Sequence, residues 1–192
     1  MPSILLASGS LYRRELLARL HLPFEHAAPD IDESPLPGES GPSLASRLAQ
    51  TKAQALAYRY PNHLIIGSDQ VAVLDGQLIG KPGTFERARE QLRAASGRSV
   101  SFLTGLCVHN AYTGRSQVDC VPFTVHFREL SEERIERYLL AEQPYDCAGS
   151  FKCEALGISL FRRTEGNDIT SLVGLPLIRL VDMLEAEGIR IP

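Results

Sequence analysis

The chain lacks any apolar run long enough to cross a bilayer: its uninterrupted apolar stretches are only a few residues long, far short of the ~20 that a spanning helix needs. It has no basic leader either, since "MPSILLASGS" enters its apolar run almost at once, so the expectation is a cytoplasmic protein without a membrane partner. Basic stretches are also missing. With 20 Lys and Arg against 23 Asp and Glu, and a formal charge of −3, nothing offers the continuous positive stripe that a nucleic-acid polymer requires. Cysteine is sparse: Cys107, Cys120, Cys147 and Cys153 include no C-x-x-C pair. That argues against structural zinc and for free reduced thiols, with a redox role for Cys147 and Cys153, which flank a glycine-containing loop, as the lesser alternative.

The familiar phosphate fingerprints are absent as well. Neither G-x-x-x-x-G-K-[ST] nor G-x-G-x-x-G occurs, which excludes a P-loop NTPase and a dinucleotide-binding Rossmann enzyme. No serine sits in a G-x-S-x-G elbow, and His21, His26, His63, His109 and His126 occur singly. A covalent mechanism built on a paired nucleophile is therefore disfavoured.

What remains is a chain of 192 residues, long enough to bury roughly 70% of its unfolded surface, in which strand and helix patterns alternate. "SILLA" reads as a buried strand leading through Ser8-Gly9-Ser10 into a helix with Leu16, Leu17 and Leu20 on one face. Helical spacing predicts a long helix over 42–60, entered by Pro42 and stopped before Pro61. "HLIIGSDQVAVLDGQLIGKP" predicts two strand runs split at Gly67 to Gln70, with Asp75-Gly76 as a hairpin turn. A helix over 85–95 follows, then an antiparallel pair, "SVSFLTGLCVHN" and "VDCVPFTVHFREL", around "AYTG". Ser131 opens another helix; "CAGSFKCEALG" reads as a loop or broken strand, "ISLFRR" as a strand, and "GLPLIRLVDMLEAEG" as a final helix with Pro176 near its start. The Pro/Gly/Ser-rich residues 32–43 are the one linker-like stretch. The expected fold is α/β with an extended mixed sheet and flanking helices.

Several residues fit this bland reading poorly. Arg13 and Arg14 fall in the first turn of a helix, where exposed N–H groups already carry positive charge. Lys52 lies on an apolar stripe, four residues from Leu48 and from Leu56; alone it would be read as a snorkelling lysine. Asp69 interrupts an apolar strand pattern, where a turn aspartate and a paired buried carboxylate are equally good readings. Lys81 is fixed in extended geometry by Pro82, and Asp32 and Glu33 head the linker-like stretch. Together, four cations beside Ser/Gly loops and a pair of hard oxygen donors, Asp69 and Glu33, suggest a polyphosphate bound with a divalent cation, Mg²⁺ or Mn²⁺. Attack by a water activated by a carboxylate and a metal is the chemistry these residues support.

In order along the chain come S-x-S with R-R-E-L-L, D-E, T-K-A, G-S-D, G-K-P, S-G, T-G and G-L-P. In this the chain resembles the Maf family of nucleoside triphosphate pyrophosphatases, over Ile4 to Leu180 at least. The resemblance implies one domain over 1–192, with two lobes around a nucleotide cleft, hydrolysing a nucleoside triphosphate between its α and β phosphates. It implies Asp69 as the proton acceptor, Ser8, Ser10, Arg13, Lys52 and Lys81 as substrate-binding residues, and Glu33 with Asp69 near the metal. It also allows a homodimer. Tyr12, Gln70 and Glu154 occupy the positions that set specificity in the branch acting on 7-methyl-GTP, where tryptophan rather than Tyr12 would be the expected aromatic. Cation–π attraction between Tyr12 and a methylated, positively charged guanine agrees with that assignment, as does a carboxylate at 154 accepting from guanine N1–H and the 2-amino group. Other nucleotides, UTP, dTTP, CTP or a non-standard base, and a nucleotide-binding regulator of septum formation with little turnover, stay open as alternatives.

Overall fold

The computed structural model describes residues 2–191. Among these residues, a seven-stranded mixed sheet runs β2-β1-β3-β5-β6-β7, with β4 paired to β3. Its strands are β1 (Ser3–Ala7), β2 (Phe24–Ala27), β3 (His63–Leu74), β4 (Gln77–Ile79), β5 (Ser99–Asn110), β6 (Arg115–Phe127) and β7 (Phe161–Glu165). The helices are α1 (Leu11–Ala18), α2 (Gly41–Ala55), α3 (Phe85–Ala95), α4 (Glu132–Glu142), α5 (Ile169–Val173) and α6 (Leu177–Ala186). The chain divides into two compact units, one holding residues up to Gln70, Thr104–Val121 and those from Asp168 onward, the other Val71–Leu103 and Pro122–Asn167.

In the first unit β1 pairs in parallel with both β2 and β3. Parallel strands covered on both faces are apolar along their whole length, and the period-two alternation sorts them cleanly. Ile4 and Leu6, Leu64 and Ile66, and Leu106 and Val108 pack with Leu16 and Leu17 of α1 and Leu180, Met183 and Leu184 of α6. Leu5, Ile65 and Cys107 face the other way, onto Ala49 and Ala53 of α2. That helix lies very close to the sheet: a Cβ at Gly67 would stand 2.0 Å from the Ala49 carbonyl, and one at Gly105 2.0 Å from the Ala45 carbonyl. Glycine at these two positions is what admits the helix.

The second unit is centred on aromatic rings. Phe151 meets Phe102, Phe127 and Phe161 edge to face, at 5.2, 5.6 and 4.8 Å between centroids. Such pairs add to the burial of their area. Alongside, Ala88 and Leu92 of α3 and Ile135 and Leu139 of α4 are buried, and Glu132 ties α4 to Arg89 and Arg93 of α3.

Several expectations are corrected. Strand β3 is continuous through Gly67 to Gln70, because Asp69 is paired rather than turning the chain. Helix α2 ends at Ala55, and residues 56–60 continue as turns. "ISLFRR" is strand only from Phe161; Leu156–Leu160 form a 3₁₀ turn. The short helix α5, capped by Asp168, had no counterpart in the sequence reading. Residues 32–43 are not a free linker. Arg47 grips Glu39 through Nε at 2.6 Å and Nη2 at 2.8 Å, and donates from Nη2 to the Ser34 carbonyl at 3.0 Å. The Asp75-Gly76 hairpin, both residues at positive φ, forms as expected.

Candidate functional site

At the carboxyl end of β1, the Ser8 hydroxyl accepts from the Ser10 N–H at 3.1 Å, and the Ser10 hydroxyl caps α1 by accepting from the Arg13 N–H. Serine suits this place because its oxygen satisfies one of the orphan donors of the first turn. The turn thus presents hydroxyls and a helix N-terminus with Arg13 beside it. The Arg13 Nε donates to the Gly174 carbonyl at 2.8 Å. Burial pushes the Arg13 guanidinium below its ordinary pKa, against the pull of Asp69 and Glu33; arginine nonetheless stays charged at neutral pH. Arg14 does not join this group, since its Nη1 lies 3.1 Å from His26 Nε2.

Lys52 is buried in the apolar face of α2 at 6% exposure, and its Nζ contacts two carboxylates. Asp69 Oδ1 is at 2.6 Å and Glu33 Oε1 at 2.9 Å. The lysine that looked like a snorkelling side chain is the centre of an ion cluster. Period-two alternation explains the arrangement: Asp69 shares the α2 face of β3 with Ile65 and Gly67, whereas Ser68 and Gln70 point to the opposite face. There the Ser68 hydroxyl lies 2.8 Å from the Gly105 carbonyl and 2.9 Å from that of Gly174. Gln70 Nε2 donates to Thr104 Oγ1, the Ser171 carbonyl and the Leu172 carbonyl at 3.0, 2.8 and 3.0 Å. Backbone carbonyls only accept, which fixes the amide's orientation and turns its oxygen away from them.

Of the other residues singled out from the sequence, Tyr12 is half-buried in α1 and Asp32 accepts from the Ser34 N–H at 2.9 Å, both in the first unit, while Lys81 and Glu154 lie in the second. Lys81 is exposed just before the buried Pro82. Glu154 is exposed on the loop between the 3₁₀ turns Ala148–Ser150 and Leu156–Leu160 and accepts from Cys153 Sγ at 3.3 Å. That loop is anchored by Lys152, whose N–H donates to the Tyr138 hydroxyl and whose Nζ donates to the Glu142 carbonyl. Sequence reasoning missed Arg47 and Glu39, and gave no separate role to Ser68, Thr104 or Gly174, although all three sit inside the ordered motifs.

Among the described residues, no three His, Cys, Asp or Glu side chains form a metal cluster. The fit to a divalent cation is one of donor chemistry: two hard carboxylates, Asp69 and Glu33, meet at one ammonium. A Mg²⁺-like ion is commonly held by one or two carboxylates, with substrate phosphates and waters completing the shell. This donor chemistry suits an ion brought in with a polyphosphate.

Hydroxyls, a helix N-terminus with Arg13 beside it, the buried Lys52 and its paired carboxylates, close to the carboxyl ends of parallel strands, make this an α/β protein suited to a phosphorylated ligand. A family model described as "Maf-like protein" matches residues 3–187. A "7-methyl-GTP pyrophosphatase" of Pseudomonas syringae pv. tomato is 70% identical over 192 residues, covering all of both chains. One of Pseudomonas aeruginosa is 68% identical over the same span. One of Nitrosococcus oceani is 57% identical over 187 residues, 97% of this chain and 94% of the relative. The chain belongs to the Maf family. Among the described residues no helix is long and apolar enough to cross a membrane.

Proposed function

We infer that this protein, acting as a single domain of its family, is a pyrophosphatase that hydrolyses 7-methyl-GTP to 7-methyl-GMP and pyrophosphate, with a divalent cation. The observation that carries the chemistry is the buried Lys52 between Asp69 and Glu33. The 7-methyl-GTP pyrophosphatases to which the chain is 57–70% identical support the choice of substrate.

In this reading Ser8, Ser10, the first turn of α1 and Arg13 bind the phosphates, as charge-assisted donors to an anion. Lys52 and, by its motif position, Lys81 add positive charge. Asp69 and Glu33, together with the phosphates, would hold the divalent cation, which when bound would supply neutralisation of the charge developing on the phosphoryl oxygens. Asp69 accepts a proton from the attacking water; the water oxygen bonds to phosphorus as the bridging P–O bond of the α–β anhydride breaks, and pyrophosphate leaves with that electron pair. Tyr12 offers its ring face to the methylated base, worth ~0.5–2 kcal/mol. Glu154 accepts from the guanine edge, and Gln70 offers its carbonyl oxygen to the base because its NH₂ is committed to Thr104, Ser171 and Leu172.

The test is turnover and binding of 7-methyl-GTP by Asp69→Asn. The expected result is a loss of ~10²- to 10⁴-fold in kcat with binding retained. Normal turnover would remove Asp69 as the base, whereas tight binding with no turnover even in the wild type would make the protein a nucleotide binder rather than an enzyme.

A further inference from the structure

The G-L-P motif has no role in the chemistry above, yet its first residue touches the site. The Gly174 carbonyl accepts both the Arg13 Nε at 2.8 Å and the Ser68 hydroxyl at 2.9 Å. We propose that Gly174 is a positioning residue, whose carbonyl aims the Arg13 guanidinium at the substrate phosphates. This rests on the assignment of Arg13 as a phosphate ligand.

Three features support the assignment. First, Gly174 stands at φ 121°, a conformation that L side chains avoid, and a Cβ there would sit 3.4 Å from Arg13 Nε and 3.7 Å from Nη2. A side chain would meet the arginine only at ordinary contact distance, so it is the backbone conformation, open to glycine without strain, that sets the direction of this carbonyl. Second, the turn carrying this carbonyl is stapled at both ends. Asp168 Oδ1 accepts from the Thr170 N–H and hydroxyl, its Oδ2 accepts from the Ile178 N–H, and the Thr170 hydroxyl accepts from the Leu177 N–H. Asp168 is itself buried. Third, the same turn binds strand β3 twice more through Gln70, by the Ser171 and Leu172 carbonyls. A backbone carbonyl held this firmly fixes an arginine more sharply than a flexible side chain would, and phosphate recognition depends on guanidinium direction.

The experiment is a double-mutant cycle on kcat/KM for 7-methyl-GTP with wild type, Gly174→Ala, Arg13→Met and the double variant, with thermal unfolding of each. Misplacement by about 1 Å can cost as much as ~10²-fold, so Gly174→Ala alone should lower kcat/KM by at least ~10-fold. In the Arg13→Met background the same substitution should cost less than ~2-fold, because the residue it positions is gone. Ser68→Ala forms a second cycle, with a smaller loss that likewise disappears without Arg13; it decides the matter if Gly174→Ala does not fold. Equal losses in both backgrounds would overturn the proposal and leave Gly174 a purely structural glycine. If Arg13→Met itself keeps wild-type turnover, the assignment of Arg13 fails first, an outcome read directly from that single variant.

Discussion

Replacing Lys52 by methionine tests the ion cluster without reference to any substrate. Methionine keeps most of the buried hydrocarbon stem but removes the ammonium that bridges Asp69 and Glu33. The Asp69 side chain is only 10% exposed, while that of Glu33 is 54% exposed. Water therefore solvates Glu33 once the lysine is gone, and its part in the loss is a few tenths of a kcal/mol. Asp69 is left as a buried carboxylate without its ion-pair partner, attracted through space by Arg13 and Arg47, and breaking such a pair costs ~3–5 kcal/mol. At roughly 2–4 °C per kcal/mol for a chain of this size, Lys52→Met should unfold some 6–20 °C below wild type in EDTA. A divalent cation takes over the charge of the lost ammonium, so millimolar Mg²⁺ should raise the Tm of Lys52→Met more than that of wild type. Differential scanning calorimetry of both proteins, with EDTA and with Mg²⁺, reads this directly. A variant that melts with wild type in EDTA, or gains no more from Mg²⁺ than wild type does, would refute the cluster as the organising feature of the site.

Other expectations follow from separate contacts. Arg47 and the Leu36 N–H hold the Glu39 carboxyl at about 2 rather than 4.5. A depressed pKa stabilises the fold above the unfolded value and is lost on acidification, so the stability difference between wild type and Arg47→Met should be full above pH 4.5 and shrink toward pH 2; a difference flat in pH would contradict the contact. Burial, with Asp146 and Glu154 beside them, pushes Cys147 and Cys153 up to about 12. Alkylation by iodoacetamide at pH 7 should accordingly be slow and should accelerate with pH, whereas fast labelling at pH 7 would restore the redox alternative. Tyr12→Leu should reduce the preference for 7-methyl-GTP over GTP by roughly 2- to 30-fold, the range set by a lost cation–π contact; an unchanged ratio of kcat/KM values would place the methyl-guanine elsewhere.

The elements that positioned the site were legible where local rules decide them. The Ser8-Gly9-Ser10 entry into α1, the Asp75-Gly76 turn, the apolar run of β1 and the strand pattern of β5 are short-range signals, and each formed where expected. Strand β3 was misread because a carboxylate within an apolar run was taken for a break; the Lys52 that neutralises it is 17 residues away, beyond any local window. The arginine clamp on Glu39 had the same character, turning a Pro/Gly-rich stretch into an ordered loop through a partner in the next helix. Helix α5 escaped because its five residues carry too little periodicity, and Asp168 caps it through contacts that reach Ile178. The motifs marked Ser68, Thr104 and Gly174 only as positions. Their shared purpose, a hydrogen-bonded scaffold behind Arg13 and Gln70, depends on strand alternation and a carbonyl 161 residues from the arginine it holds.

The most direct measurement is pyrophosphate release with Mg²⁺ from 7-methyl-GTP, GTP, UTP, dTTP, CTP and ITP, each at the same low concentration so that rates rank as kcat/KM. The account predicts selective cleavage of 7-methyl-GTP. Preferential cleavage of any other member of the panel would contradict it.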